Sequence, residues 1–329
     1  MLPPLENHPP RSLRRAGGWA FGRYRHPIED PSLGAAPRFR TKEWHYHSVV
    51  SEEWFLGVAV VQLGYVANAF LYLVERADPA RRREHEALSP LGRALSFAPS
   101  SVRGETLWQR GADRIAMRYR DGWAVELDVG LGDERLSGEL HIEPRESLAV
   151  AFPLGPDRPA YTHKAGGLPA RGVLRLGARD IDFSGGLATL DWTRSLARRH
   201  TQWKWASFAG RARDGRTLGL NLSADVYDHP QGASHENALF VDGVTCSLGG
   251  VAFELPADPV REPWHISSAE LDLEFQPLGA RKQKLDLGLV RSDFVQPYGT
   301  FRGRLAPAGV APAEVDGVFG VVENHDALW

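Results

Sequence analysis

Ile115-Ala116-Met117-Arg118-Tyr119-Arg120-Asp121-Gly122-Trp123-Ala124-Val125-Glu126-Leu127-Asp128-Val129 is the stretch whose reading decides the fold. Val125, Leu127 and Val129 alternate with Ala124, Glu126 and Asp128. Two is the side-chain period of a strand, and a segment with one apolar and one wet side suits an antiparallel sheet. Asp121-Gly122 falls between two such runs. That dipeptide accepts the positive φ angles of a tight hairpin turn, so Ile115–Arg120 and Trp123–Val129 are expected to pair.

The same texture continues outward. Leu271, Leu273 and Phe275 alternate with Asp272, Glu274 and Gln276, and Ile181 and Phe183 sit between Asp180, Asp182 and Ser184. Asp242-Gly243 separates Ala238–Val241 from Val244–Leu248, and Asp316-Gly317 interrupts another apolar run. The chain's 34 Gly and 23 Pro residues punctuate it too often for long helices. Only Arg81–Phe97 resembles a helix, and Pro90 and Gly92 limit it to about two turns. Many short strands with frequent turns predict an all-β protein of two antiparallel β-barrel or sandwich domains in tandem. Gly and Pro cluster between Pro153 and Gly172. The expected organisation is therefore an extended arm over 1–20, an N-terminal β domain over 21–168 and a C-terminal β domain over 169–329.

Composition narrows the partners. Of 329 residues, 43% are hydrophobic and 24% charged, the balance of an ordinary globular chain. A formal net charge of -2 gives no global attraction for nucleic acid or an anionic membrane. The densest basic run, Arg81-Arg82-Arg83, is met at once by Glu84 and Glu86. Cys246 is the only cysteine, which rules out an internal disulfide and a cysteine-based metal site. The N-terminal residues lack the apolar core of a secretory signal. The apolar stretch Trp54–Val74 is broken by Gln62, Gly64 and Asn68, and reads as paired strands, not a membrane helix. A cytoplasmic location without a membrane span is the expectation. No P-loop, dinucleotide-binding glycine pattern, nucleophile elbow or His-Glu-x-x-His is present, so no cofactor is expected.

Two polar clusters stand out: the long loop Ala224–Asn237, and the run Arg291–Gly299 with the tail Glu323-Asn324-His325. In the first, Glu236 suits general acid or base work if burial raises its pKa, His235 suits proton carriage, and Asn237 suits holding a carbonyl or a water. In the second, Arg291 and Asp293 share one side of an extended segment, as do Glu323 and His325. Trp203 and Trp205 share a strand face that excludes Lys204. With Trp192 they either line an apolar cavity beside Asp191 or fill a barrel core. His163 and Lys164 point to opposite faces if Tyr161-Thr162-His163-Lys164 is a strand. His45 and His47, two apart, either share a metal or are simply hydrogen-bonded, and no metal site is assigned. Burying charge is costly unless the charges gather. The expected site is therefore one cavity in the C-terminal half. Asp191, His235, Glu236 and Asp293 would supply proton transfer there, and His163, Trp192, Trp203, Trp205, Asn237, Arg291 and Glu323 would contact the ligand.

At these residues the sequence resembles a bacterial family without an assigned activity, the domain of unknown function 2804 family. The resemblance rests on Phe21-Gly22-Arg23-Tyr24-Arg25-His26-Pro27, Lys42-Glu43-Trp44, Pro153-Leu154-Gly155-Pro156, Tyr161-Thr162-His163-Lys164 and His235-Glu236-Asn237-Ala238. Arg291-Ser292-Asp293-Phe294 with Gln296-Pro297, and Gly317-Val318-Phe319-Gly320, extend it over nearly the whole chain after residue 20. That family is distantly similar in fold to two-barrel, lipocalin-like (calycin) proteins, which include carotenoid 1,2-hydratase and tocopherol cyclase. The resemblance implies two such barrels with an apolar small molecule held between or within them. Three functions follow. The first is binding of a lipid or isoprenoid-like molecule in a barrel cavity. The second is cofactor-independent hydratase, cyclase or isomerase chemistry on such a molecule. The third is a structural or interaction module.

Overall fold

The computed structural model describes every residue except Met1, Gln231, Leu287 and Leu289. The deciding hairpin forms as its sequence dictates: Asp113–Tyr119 pairs antiparallel with Trp123–Leu131, and Tyr119 faces Trp123 across the Asp121-Gly122 turn. Asp242-Gly243 likewise closes a hairpin between Ala238–Val241 and Val244–Ser247. Asp316-Gly317 lies inside the strand Ala313–Leu328. There Arg302 pairs with Asp316 and Phe301 with Val318, so Gly317, at φ 70°, is the extra residue of a bulge.

The protein is all-β, built on two large sheets. The first runs Arg83–Pro90, Val66–Glu75, Trp54–Gln62, Lys42–Val50, Gly186–Ser195, Pro159–Leu176, Glu134–Ile142, Trp123–Leu131, Asp113–Tyr119, Gly104–Arg110 and Leu95–Ser96. It curls into a nearly closed barrel. His85 Nδ1 bonds the Gly130 carbonyl at 3.1 Å, and Arg83 meets Glu134 at 2.9 Å, tying one end of this order to its middle. Trp54, Trp108, Trp123 and Trp192 fill its interior, each adding about 1.5–3 kcal/mol or more by burial. The second sheet, from Val244–Ser247 through His200–Arg211 and Ala313–Leu328 to Ala252–Glu254, curls into a half-barrel around Phe208, Trp264, Phe275 and Phe301.

The expected helix over Arg81–Phe97 is a strand, Arg83–Pro90, followed by a turn and the short strand Leu95–Ser96. His85 and Ser89 are buried while Glu86 and Leu88 are not, a period of two that local charge spacing disguised. The first sheet's last strand ends at Ser195 and the second sheet's first begins at His200. The expected division at 168/169 therefore falls inside Pro159–Leu176. The Gly and Pro residues there serve a bulge, where the pairing register shifts between Ala165 and Leu168. This bulge is where the sheets touch backbone to backbone. A Cβ on Gly219 would lie 2.1 Å from the Gly166 carbonyl carbon, so Thr217–Ala224 docks only because both residues lack side chains. The expected arm is partly strapped down: Leu5–Glu6 pairs parallel with Gly22–Tyr24, and Leu13 is fully buried.

Candidate functional site

Three adjacent strands of the first barrel set the site by parity. His163 pairs with Trp192, and Trp192 with His45; these side chains point into the barrel. Lys164 pairs with Asp191, and Asp191 with Tyr46; these point outward. On an isolated barrel that outer face would be wet. Here the second sheet covers it with Trp203, Trp205, Gln296 and Glu323, and the loop 225–237 covers it with Tyr227 and Glu236. Between them lies a cavity of about 130 Å³, walled also by Trp44, Phe70, Phe294 and Trp329. That is many times the ~10–15 Å³ one water needs. The cavity lies between the two sheets, on the outer face of the barrel.

Its polar groups converge. Lys164 Nζ lies 2.6 Å from Asp191 Oδ1 and 3.3 Å from Glu236 Oε1, with its side chain only 3% exposed. Asp191 Oδ1 also accepts the Trp44 indole N–H at 3.1 Å and the Thr193 hydroxyl at 3.2 Å. Glu323 is held symmetrically. Trp203 donates its indole N–H to Oε1 at 2.6 Å and Gln296 its amide to Oε2 at 2.7 Å. Trp44 and Trp203 lie nearly parallel, 15° apart with centroids at 6.0 Å. One indole from each sheet thus holds one carboxyl group from its own sheet, across a shared stack.

Three carboxyl groups face one lysine, and this imbalance sets the electrostatics. Burial alone would lower the Lys164 pKa, but Asp191 and Glu236 outweigh it and the net shift is upward, so the ammonium stays charged. Burial raises the Glu236 pKa, opposed by Lys164 and reinforced by Asp191. Glu323 has no lysine. Burial pushes it up to about 7, against the two hydrogen bonds from Trp203 and Gln296. Burial also holds His325 down to about 3, so its ring is neutral, and raises Tyr227 well above the usual tyrosine range. The cavity can therefore present a protonated carboxyl group and a carboxylate at the same pH. It also has aromatic faces to contact an apolar molecule.

The sequence-predicted residues divide. Asp191, Glu236, Trp203, Trp205 and Glu323 line the cavity. His235 does not: its ring packs on Phe152 at 4.5 Å, and its carbonyl accepts Arg23 Nε–H at 2.9 Å. Asn237 bonds the Ser223 amide and the Gly249 carbonyl, holding the loop to its sheet. Gln231 of that loop lies outside the described residues. Trp192 and His163 are buried inside the barrel, with His163 Nδ1 2.8 Å from Ser101 Oγ. Arg291 and Asp293 lie on exposed strand; Asp293 pairs with Lys284 at 3.4 Å, and both are outside the cavity lining. The structure adds Trp44, Tyr46, Lys164, Tyr227, Gln296 and His325. Parity puts Lys164 on the opposite face from His163, but nothing local shows that a second sheet covers that face.

The two histidines form a closed set. The Thr189 carbonyl can only accept, which fixes the donor order from that end, so the Thr106 hydroxyl, which itself accepts the Ala98 amide, donates to His45 Nδ1. His45 Nε2–H then donates to His47 Nε2 at 3.1 Å, and His47 Nδ1–H to the Thr189 carbonyl. No ring nitrogen of the pair is left over as a metal ligand. Among the described residues no three His, Cys, Asp or Glu side chains gather in a way that would hold a metal ion. No helix among them is long and apolar enough to cross a membrane.

Comparison with known proteins gives the following. A family profile described as "Domain of unknown function (DUF2804)" matches residues 7–329. No curated protein matches. Among solved structures, a protein provisionally described as AttH from Nitrosomonas europaea is similar with a TM-score of 0.54. It is 17% identical, over 89% of this chain and 94% of that one. CghA is similar with a TM-score of 0.54 at 11% identity, over 88% and 87%. Kievitone hydratase from Nectria haematococca follows with a TM-score of 0.48 at 9% identity, over 86% and 88%. At these identities the first two likenesses are of fold alone.

Proposed function

The chain belongs to the domain of unknown function (DUF2804) family, and from that premise we propose that its cavity binds an apolar small molecule and performs cofactor-independent acid/base chemistry on it. One observation carries this reading. Glu323 is a buried carboxyl group with a pKa raised to about 7, and it faces an aromatic-walled cavity that also holds the charged Lys164–Asp191 pair. A general acid works best when its pKa sits near the working pH. In this reading Glu323 gives its proton to a carbon–carbon double bond of the ligand. The positive charge that develops on carbon lies against the faces of Trp44, Trp203 and Phe294. Asp191, which contacts the Lys164 ammonium and accepts the Trp44 indole N–H, takes a proton from an attacking water, from a hydroxyl of the ligand itself, or from a neighbouring carbon. Those three fates are hydration, cyclisation and isomerisation. Atoms balance in each: one proton enters from Glu323, one leaves to Asp191, and exchange between the two groups restores the start.

Binding without chemistry is the second reading, supported by the predominantly apolar wall, in which Tyr46, Phe70 and Trp205 surround few polar groups. One experiment separates them. Small molecules that copurify with the protein are identified by mass spectrometry, and the protein is then incubated with them in deuterated water. The catalytic reading expects deuterium incorporation at carbon or conversion by the wild type, with at least a hundredfold loss in Glu323→Gln. A bound ligand that neither exchanges nor converts sinks the catalytic reading and leaves the binder.

A further inference from the structure

The global charge of the chain hides a local surface. Phe39 is 65% exposed and Leu91 54%, the two most exposed large apolar side chains among the described residues. They belong to different turns that meet. A Cβ on Gly64 would lie 2.5 Å from Phe39 Cα, and the next residue, Tyr65, accepts the Leu91 amide through its carbonyl at 2.8 Å. Arg38, Arg40 and Arg93 are exposed around them, and Arg38 Nη2 donates to the Gly92 carbonyl at 3.4 Å. Among the described residues no acidic side chain is ion-paired with any of these three arginines. Residues 38–40 and 91–93 thus bring together two exposed apolar side chains and three exposed arginines that adjoin them in sequence.

Leu91 carries a second signal. Its φ is 56°, a left-handed conformation that a branched, bulky side chain adopts only at a cost. Glycine or asparagine would serve the turn better. The side chain that bears the strain is one the fold leaves in water.

The patch adjoins the cavity. Lys42 Nζ donates to the Phe39 carbonyl at 3.0 Å and lies 5.6 Å over the ring of Trp329, a wall residue of the cavity that stacks on Trp203. We propose that Phe39 and Leu91, with Arg38, Arg40 and Arg93 beside them in the chain, dock the protein on an anionic lipid bilayer on the side of the molecule where Lys42 reaches Trp329 of the cavity wall. The chemistry matches such a surface: two apolar side chains enter the interfacial region while the guanidinium groups meet phosphate headgroups. An apolar ligand held in that bilayer would then have a short path to Trp329. The docking itself does not depend on any reaction in the cavity.

The test is co-sedimentation of the full chain with two vesicle types. One is pure phosphatidylcholine, and the other has about a quarter of it replaced by phosphatidylglycerol to supply anionic charge. The wild type is expected on the anionic vesicles, weakening with salt. Arg40→Ala and Arg93→Ala should each lower partitioning about fivefold. Phe39→Ser with Leu91→Asn should lower it tenfold or more at unchanged or higher thermal stability, because asparagine relieves the left-handed strain. Equal binding to both vesicle types, binding to neither, or partitioning indifferent to the Phe39 and Leu91 substitutions overturns the proposal. Because the readout is vesicle binding, failure here leaves the deuterium result untouched, and the reverse holds.

Discussion

The inner and outer faces of the same three strands bury polar side chains almost equally, yet they do different things. Inside the barrel, His45, His47 and His163 are at most 2% exposed, with Trp123 packed against the rings of His47 and His163. Outside it, under the second sheet, Lys164 and Glu236 are buried to the same degree. The inner groups are neutral, and the hydrogen-bond chain through His45 and His47 runs in one direction, from the Thr106 hydroxyl to the Thr189 carbonyl. The outer groups are one lysine and three carboxyl groups around open space. Burial by itself therefore does not distinguish a site here. A surplus of one charge type, left to be balanced by a proton, does.

The hardest way to break this comparison is to remove the outer cation. Lys164→Met leaves Asp191 and Glu236 facing each other in a buried place without a counter-charge. Breaking one partner of a buried ion pair costs about 3–5 kcal/mol, partly recovered as Glu236 takes up a proton. Chemical denaturation should show a loss of that order at neutral pH, shrinking as the pH falls and the carboxyl groups neutralise. A loss under about 1 kcal/mol would mean that the triad is solvated and is not the electrostatic centre described.

The two faces should also respond oppositely to pH. Glu323 is raised from 4.5 to about 7, so its contribution to stability is full below about 4.5 and disappears as pH rises through 7. The size is on the order of 3 kcal/mol. The inner histidines are depressed, His47 to about 4 and His163 to about 3, so they favour the fold above 6.5 and lose that contribution as pH falls through 4 and 3. Glu323→Gln should remove the fall in stability between about pH 4.5 and 7 and keep the loss at acid pH that the histidines cause, and His163→Gln should blunt that acid loss only. Stability curves across pH 3–9 in which Glu323→Gln leaves the neutral-range slope intact would refute the assignment.

Much of this architecture was legible locally. Asp121-Gly122 and Asp242-Gly243 marked hairpins because a two-residue turn needs their backbone freedom, and alternation at Trp203–Trp205 and at His163–Lys164 assigned faces correctly. The cover of one sheet by another was not legible. From Ala160 to Ala170 nearly every residue is buried on both faces, so the alternation that reveals a half-wet strand is absent there. The Gly166-Gly167 pair lies in the Gly- and Pro-rich stretch that reads as a domain boundary, yet it permits the backbone contact with Gly219. We propose the domain division at 196–199, between the strands that end and begin the two sheets. Arg291 and Asp293 misled for a related reason: they share a strand with Gln296, but sit near the end of the hairpin that extends past the cavity into solvent.

The finest test concerns one hydroxyl on each face. Tyr72 donates to Gln296 Oε1 at 2.8 Å, and this turns the Gln296 amide so that its N–H points at Glu323. That arrangement favours the carboxylate. A neutral Glu323 would prefer the amide reversed, to accept its own O–H. Tyr72 is therefore a positioning residue, and burial, reinforced by Tyr46, keeps its phenol protonated and able to donate. In Tyr72→Phe the amide is free to reverse, so the Glu323 pKa should rise above about 7, for a stability change of only about 1 kcal/mol. The inner counterpart is Tyr161, whose hydroxyl accepts the Ile28 amide at 3.0 Å. Tyr161→Phe should cost about 1–3 kcal/mol, because it leaves that buried N–H without an acceptor. It should not move Glu323. Infrared titration of the protonated carboxyl band, assigned by its loss in Glu323→Gln, reads the difference. If the band's midpoint is unchanged in Tyr72→Phe, or shifts as far in Tyr161→Phe, the amide is not set by Tyr72 and the outer network is no more tuned than the inner one.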